Sequence, residues 1–178
     1  MSYTINLHRH RFAAWAASRA ASVIGCRFTV QQGLAMLENA GLSMTLRNPD
    51  ELPTPDQIDV AHEAWRSGVI AAGKTHSLHL THGVAAKLIN VYLKAGLVCA
   101  GHEQHERVGA LHPPIDSLLL DELAAANVGG LKPVWKAAKK IRWSKLDSDQ
   151  YATLISHLRT AMKGQPLWMI ESHWRGYQ

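Results

Sequence analysis

The sequence contains few cysteines and no long apolar run, and each shortage excludes a class of protein. Two cysteines in 178 residues are too few for a disulfide framework, so we expect reduced thiols in a cytoplasmic protein. The first residues lack the pattern of a signal peptide, and no segment has the roughly 18 continuous apolar residues of a membrane span. The sequence also lacks a phosphate-binding P-loop and a paired-cysteine zinc motif.

The sequence also lacks strand patterns, and it contains several patterns that are typical of helices. No stretch alternates apolar and polar residues as a half-buried strand does. Capping residues at Thr29–Gln32, Thr54–Gln57 and Asp147–Gln150 predict helix starts. Because 47% of the residues are hydrophobic, the chain can bury a core, and we predict an all-α, compact two-lobed helical domain over residues 1–178. The predicted helices cover about 12–23, 30–41, 55–73, 85–95, 114–126, 133–141, 148–163 and 166–174.

One lysine lies where a stable helix would carry an acidic residue. A turn at Gly83 leads directly into an apolar helix, and Lys87 is predicted in the first turn of that helix. The N-terminal end of a helix is the positive pole of its dipole, which disfavours lysine. A positive field also lowers a lysine pKa, and a nucleophilic lysine needs such an environment. Lys87 is therefore a candidate nucleophile, with an exposed lysine of no catalytic role as the alternative.

Asp116 is the second candidate catalytic residue. It follows Pro113 and Pro114 and precedes the apolar run Ser117–Leu120, a pattern that predicts a helix N-cap. Backbone amides at a helix N-terminus keep a carboxylate ionised, and an ionised carboxylate can stabilise positive charge on a deoxyribose ring. The capping role and the catalytic role are compatible.

Together these two segments resemble the helix-hairpin-helix DNA glycosylases of the endonuclease III superfamily. In that superfamily a Gly-Val-Gly hairpin precedes a helix with an early lysine, and an aspartate follows a proline-containing stretch. The matching residues here are Gly83–Ala85, Lys87 and Asp116, within a hairpin and catalytic segment of about 76–123. The interval from lysine to aspartate is 29 residues, and its polar, histidine-rich part, 96–110, predicts a loop insertion. This longer interval is most similar to the archaeal 8-oxoguanine DNA glycosylase branch.

The resemblance implies a monomeric DNA glycosylase that acts on double-stranded DNA with a modified base, in DNA repair or in antiviral defence. Lys87 would attack C1′ of a flipped nucleotide with the help of Asp116, and AP-lyase cleavage can follow from the Schiff base. No metal and no organic cofactor are implied. Backbone amides of the hairpin would bind a phosphate, and the residues concerned are His82, Gly83, Val84 and Ala85.

A basic stretch later in the chain provides further candidate DNA contacts. The sequence has 19 basic and 14 acidic residues and a net charge of +5, which suits a polyanionic partner. Lys132 and three lysines of the predicted helix 133–141 form one basic stripe. The three helical lysines are candidate phosphate contacts, with a solvated lysine face as the alternative. They are Lys136, Lys139 and Lys140.

Tryptophan is frequent, and a base-flipping enzyme needs a flat apolar surface for the extruded base. The chain has six tryptophans and two phenylalanines. Trp15 and Trp65 lie on predicted helices among polar neighbours. We therefore nominate Trp15 and Trp65 for the base pocket, with Gln31 as a reader of a base edge and a structural role as the alternative for each.

The sequence leaves two other functions open. Arg107 and His112 form an Arg-x4-His string that resembles the active-site motif of HEPN ribonucleases, which are small helical proteins. A helical DNA-binding module without catalysis is the other alternative. Histidines recur every third residue at 76, 79 and 82 and again at 102 and 105, but this spacing drifts around a helix, so we expect no metal site.

Overall fold

The computed structural model describes residues 2–45 and 48–177, and it confirms the predicted all-α class. Within these ranges the one β-type pairing is an isolated bridge between Val23 and Cys26 at the end of the first helix. The α-helices are α1 (Ile5–Ala21), α2 (Val30–Asn39), α3 (Leu42–Thr45), α4 (Ile58–Lys74), α5 (His82–Leu93), α6 (Glu106–Gly109), α7 (Ser117–Ala125), α8 (Lys132–Ile141) and α9 (Ser148–Met162). Short 3-10 segments at 49–51, 128–130, 143–145 and 167–173 complete the chain path.

Two of the three predicted helix starts have the expected capping hydrogen bonds. Thr29 with Gln32 and Asp147 with Gln150 both form reciprocal capping boxes, which satisfy backbone donors that the first turn of a helix leaves unpaired. The third prediction was wrong, because α4 begins three residues later and its N-cap, Gln57, makes no side-chain capping bond.

The predicted loop insertion at 96–110 is largely helical. After α5 the chain continues as a π-helix over Lys94–His102, where Gly101 adopts a left-handed φ of 91°, and α6 follows. The reason is packing, since Leu97 is fully buried in the first hydrophobic core and Val98 packs against it. The polar, histidine-rich composition concealed these apolar contacts.

Two hydrophobic cores lie on either side of α5. One core is built from α1, α2, α4 and α5, and the other from α7, α8, α9 and the segment Leu167–His173. Helix α5 contributes to both, with Leu88 in the first and Ala86 in the second. Helix α5 therefore lies between two lobes, each built around one of these cores.

The stretch His82–His102 is long and apolar enough to cross a membrane by length and composition alone, and 67% of its most apolar window is buried inside the protein. A central helix of a soluble protein passes the same test, so the stretch is only a weak indication of a span. Its burial follows from its position between the two cores.

Candidate active site

The structure brings Lys87 and Asp116 into contact. Lys87 Nζ donates a hydrogen bond to Asp116 Oδ2 at 2.9 Å, across 29 residues of sequence. Lys87 projects from α5, and Asp116 caps the N-terminus of α7. The two residues that the sequence motif singled out therefore form an ion pair between the lobes.

Lys87 is buried, and burial controls its protonation. Its side chain is only 8% exposed, and its Nζ lies 5.7 Å from the centre of the Trp143 ring. Burial lowers the pKa of Lys87, and the neighbouring Asp116 offsets only part of that effect. The cause differs from the predicted one, because α5 begins at His82, so Lys87 lies in its second turn, away from the end of the helix dipole.

Asp116 is held as a carboxylate by three donors. Besides Lys87, the backbone N–H of Leu119 donates to Oδ1 at 2.9 Å and Trp174 Nε1 donates to Oδ2 at 3.1 Å. Burial on its own would raise the pKa of Asp116, but these donors outweigh it and lower the pKa. Such a carboxylate stays charged at neutral pH and can stabilise a cation beside it.

A buried polar network fixes the segment that carries Asp116. Asn90, one turn after Lys87 on α5, donates to the carbonyl of Pro113 and to the hydroxyl of Tyr151, both at 2.9 Å. Its Oδ1 accepts a hydrogen bond from His62 Nε2 at 2.7 Å. Because Asn90 and Lys87 share one rigid helix, the network sets the distance between Lys87 and Asp116.

His112 anchors the same segment from the other side. Its Nε2 donates to Asp59 Oδ1 at 2.7 Å, and its Nδ1 accepts from the Tyr151 hydroxyl at 3.2 Å. Burial lowers the pKa of His112 although Asp59 is adjacent, and burial lowers the pKa of His62 as well. Burial therefore favours the neutral form of both rings, because charging either one would place an imidazolium in the protein interior.

A pocket of about 450 Å³ opens beside the ion pair. Its walls are mainly apolar and include the rings of Trp143 and Trp174. Its polar groups are two lysine–carboxylate pairs, Lys87 with Asp116 and Lys94 with Glu171. The remaining lining residues are Ala16, Ala20, Val91, Ala95, Cys99 and Pro114.

A larger groove of about 1150 Å³ lies next to this pocket, and Trp143 lines both. The groove runs between the α1–α2 connection and the segments around α7 and α8. Its exposed Arg142 has a left-handed φ of 70°, a conformation that costs a non-glycine residue about 1–3 kcal/mol and is often found at functional sites. The basic residues of the groove are Arg19, Arg27, Lys139 and Arg142.

The predicted phosphate-binding hairpin has a different structural role. The N–H of Gly83 donates to Leu146 O at 3.0 Å, and the N–H groups of Val84 and Ala85 donate to Thr81. These three residues are buried inside α5, and His82 is partly buried beside Arg66. The amides of Gly83, Val84 and Ala85 are therefore paired within the protein and do not face a ligand. Gly83 is required because a Cβ there would lie 1.8 Å from the carbonyl oxygen of Trp143.

The three predicted phosphate-contacting lysines are all exposed on α8, but they do not share one site. Lys139 lines the basic groove, where it pairs with Asp121. Lys136 and Lys140 are outside the lining of the groove. Arg19, near the end of α1, and Arg27, in the α1–α2 connection, had no sequence signal beyond their charge, and they line the groove together with Lys139.

The nominated base-pocket residues do not line the pocket beside Lys87. Trp15 is 48% exposed on α1, Gln31 is exposed on α2, and Trp65 packs against the first core. Trp143 and Trp174 provide the aromatic walls. Sequence reasoning missed both, because no local pattern marks either tryptophan as a pocket residue.

The residues of the ribonuclease alternative make separate contacts. Arg107 donates to the backbone carbonyls of Asp50 and Leu52. His112 is buried in the network around Tyr151. Both side chains therefore have structural partners.

Among the residues described, no group of three His, Cys, Asp or Glu side chains lies close enough to hold a metal ion.

No family model, curated protein or solved structure matches this chain.

Proposed function

We propose that the protein is a DNA glycosylase that removes a modified base from double-stranded DNA, in repair or in defence against phage with modified DNA, and that Lys87 forms a Schiff base with the sugar. The observation that carries this proposal is the buried Lys87–Asp116 pair at 2.9 Å at the edge of an aromatic-walled pocket. A lysine nucleophile needs a lowered pKa and a neighbouring group that stabilises charge, and this site has both.

The different environments of Lys87 and Asp116 assign them different roles in this chemistry. Burial favours the neutral amine of Lys87, which is the attacking form. Asp116 keeps its charge through Leu119 and Trp174 when Lys87 turns toward a substrate. It can then stabilise the oxocarbenium-like sugar while the base departs.

Attack by Lys87 would release the base and leave an imine on the sugar. Nζ of Lys87 bonds to C1′ while the C1′–N bond breaks with its electron pair on the base, and the base takes up one proton. Nζ then releases one proton to water and a second to O4′ as the C1′–O4′ bond opens, which leaves an imine. Once the imine is protonated, loss of a C2′ proton expels the 3′ phosphate and nicks the strand. Water finally hydrolyses the imine and restores the amine.

Both cavities fit this substrate. The aromatic walls of the smaller pocket, Trp143 and Trp174, suit a flat base, since aromatic stacking recognises flipped bases. The adjoining groove carries four basic side chains, which suit a phosphate backbone. Because Trp143 borders both, a nucleotide that leaves a duplex in the groove is next to Lys87.

Borohydride trapping tests the proposal directly. Duplexes that each contain one modified base, an unmodified duplex and an abasic-site duplex are incubated with wild-type protein and with Lys87→Gln. Lys74→Gln is the matched control, because Lys74 is exposed at the end of α4. We expect a covalent adduct with at least one modified base in the wild type and the control, and none with Lys87→Gln. Failure of every duplex to give a Lys87-dependent adduct would refute the proposed chemistry.

A further inference from the structure

The pocket contains a second lysine–carboxylate pair, which the chemistry above does not use. Lys94 follows Lys87 by seven residues on the same face of the helix, about 10 Å farther along its axis. Its Nζ hydrogen-bonds to Glu171 Oε2, and both residues line the pocket. A base that occupied this pocket with its C1′ at Lys87 would share the pocket with Glu171.

Asp116 and Glu171 differ in how many donors hold them. Asp116 accepts hydrogen bonds from Lys87, Leu119 and Trp174. In the described part of the chain, hydrogen bonding to the side chain of Glu171 involves Oε2 alone, so Oε1 can contact a ligand. Glu171 is also the more enclosed carboxylate, with its side chain 13% exposed against 18% for Asp116.

This difference separates their acid–base properties. Burial raises the pKa of Glu171, and the nearby Lys94 and Lys87 offset only part of that rise. The donors around Asp116 lower the pKa of that carboxyl. Two carboxyls in one site whose pKa values move apart are suited to opposite roles, one as a charged stabiliser and one as a proton donor.

We propose that Glu171 is a catalytic acid that delivers the proton taken up by the departing base, with Lys94 beside it. This inference rests on the proposed glycosylase function and names the source of that proton. As the C1′–N bond breaks, its electron pair goes to the base, and the base takes the proton of the Glu171 carboxylic acid. The carboxylate that remains is stabilised by the Lys94 ammonium, and Glu171 regains a proton from water after the base dissociates.

A purely structural role makes a different prediction. The Lys94–Glu171 pair also attaches the segment Leu167–His173 to the start of the π-helix that continues α5. A contact with this docking role alone would affect every substrate equally. A general acid matters only where a poor leaving group has to be protonated, and it contributes about 10²- to 10⁴-fold in rate.

The experiment compares single-turnover base release from duplexes with 8-oxoguanine, 5-hydroxymethylcytosine, uracil or 5-fluorouracil, together with trapping at an abasic site. The proteins are wild type, Glu171→Gln, Glu171→Asp and the control Glu122→Gln. Glu122 is a suitable control because it forms an ion pair with Arg175, two residues after the segment Leu167–His173, at 3.4 Å. Urea unfolding of each variant shows how far it remains folded.

We expect Glu171→Gln to slow release of the poorer leaving groups by about 100-fold or more, with a smaller effect on 5-fluorouracil than on uracil. Abasic-site trapping should stay within about twofold of wild type, because no base departs there. Wild-type release should decline as pH rises through the pKa of Glu171, Glu171→Asp should keep that decline, and Glu171→Gln should lose it.

Three results would count against the inference. Equal slowing of every substrate and of abasic trapping would assign Glu171 a docking role, and unchanged release of poor leaving groups would remove any role in catalysis. In both cases the wild-type protein still forms the Lys87-dependent adduct, so these results overturn the role of Glu171 alone. The absence of that adduct on every duplex would overturn the proposed function and this inference together.

Discussion

For Gly83→Ala, helix propensity predicts a gain in folding stability, whereas tertiary packing predicts a loss. Gly83 lies inside α5, where alanine is favoured over glycine by up to about 1 kcal/mol. An added Cβ would, however, lie 1.8 Å from Trp143 O and 3.0 Å from Trp143 C. These are backbone atoms, so a change of side-chain rotamer cannot relieve the overlap.

The stability lost through this overlap exceeds the stability gained from helix propensity. Overpacking of a core typically costs about 1–3 kcal/mol, and a backbone obstacle places this site at the upper end. After the gain in propensity is subtracted, about 2 kcal/mol of lost stability remains. For a domain of this size that loss lowers the melting temperature by about 4–8 °C. The movement of Trp143 away from α5 should also reduce Lys87-dependent trapping, since its ring covers the amine.

Urea unfolding followed by circular dichroism, with Gly68→Ala in α4 as the control, measures this effect. The nearest atom to an added Cβ at Gly68 is the Cβ of Ala40 at 3.3 Å, a contact that a small shift relieves. We expect the control to be neutral or slightly stabilising. A Gly83→Ala protein as stable as wild type would show that the Trp143 backbone leaves room for a Cβ at position 83. Close packing would then not be the reason for glycine at this position.

Three further predictions concern the network and the groove. Asn90→Ala should lower the unfolding free energy by about 2–4 kcal/mol in urea, because His62 and the Pro113 carbonyl are left buried without a partner; a loss below about 1 kcal/mol would contradict this. The folded-state pKa values of His62 and His112 are lowered, so below about pH 6.5 protons bind the unfolded chain first, and stability should fall as pH decreases by up to about 1.4 kcal/mol per unit for each histidine; a flat profile from pH 7 to 5 would refute it. Arg142→Gly should relieve a backbone strain of about 1–3 kcal/mol, and the greater freedom of glycine in the unfolded chain offsets up to about 1 kcal/mol of that, so the fold should gain up to about 2 kcal/mol. The salt slope of DNA binding should decrease by about one unit, and an unchanged slope would exclude a phosphate contact.

Features that depend on a few neighbouring residues could be predicted from the sequence. The capping boxes at Thr29 and Asp147 formed as expected, because a cap and its helix are separated by only three residues. Asp116 caps α7 as predicted. The juxtaposition of Lys87 with Asp116 could be anticipated from the family resemblance, although the catalytic role of the pair stays a prediction.

Features that depend on contacts between distant segments could not be predicted. Trp143 reaches the pocket because its backbone packs on α5 at Gly83, sixty residues earlier in the chain. Arg19 and Arg27 meet Lys139 in one groove only after α1 and α8 are placed in the two lobes. No local pattern carries this information, and the polar neighbours by which Trp15 and Trp65 were nominated do not report which tryptophans line the pocket.

Burial, and not the helix-end field that the sequence suggested, lowers the pKa of Lys87. A helix-end field would act on any lysine in a first turn and would be screened by solvent. Burial acts instead because α5 lies between two cores, so the reactivity of the amine depends on the packing of both lobes. The same packing gives Asp116 three donors and Glu171 one. A substitution that separates the lobes should therefore change the protonation of all three groups at once, even if every one of them is left intact.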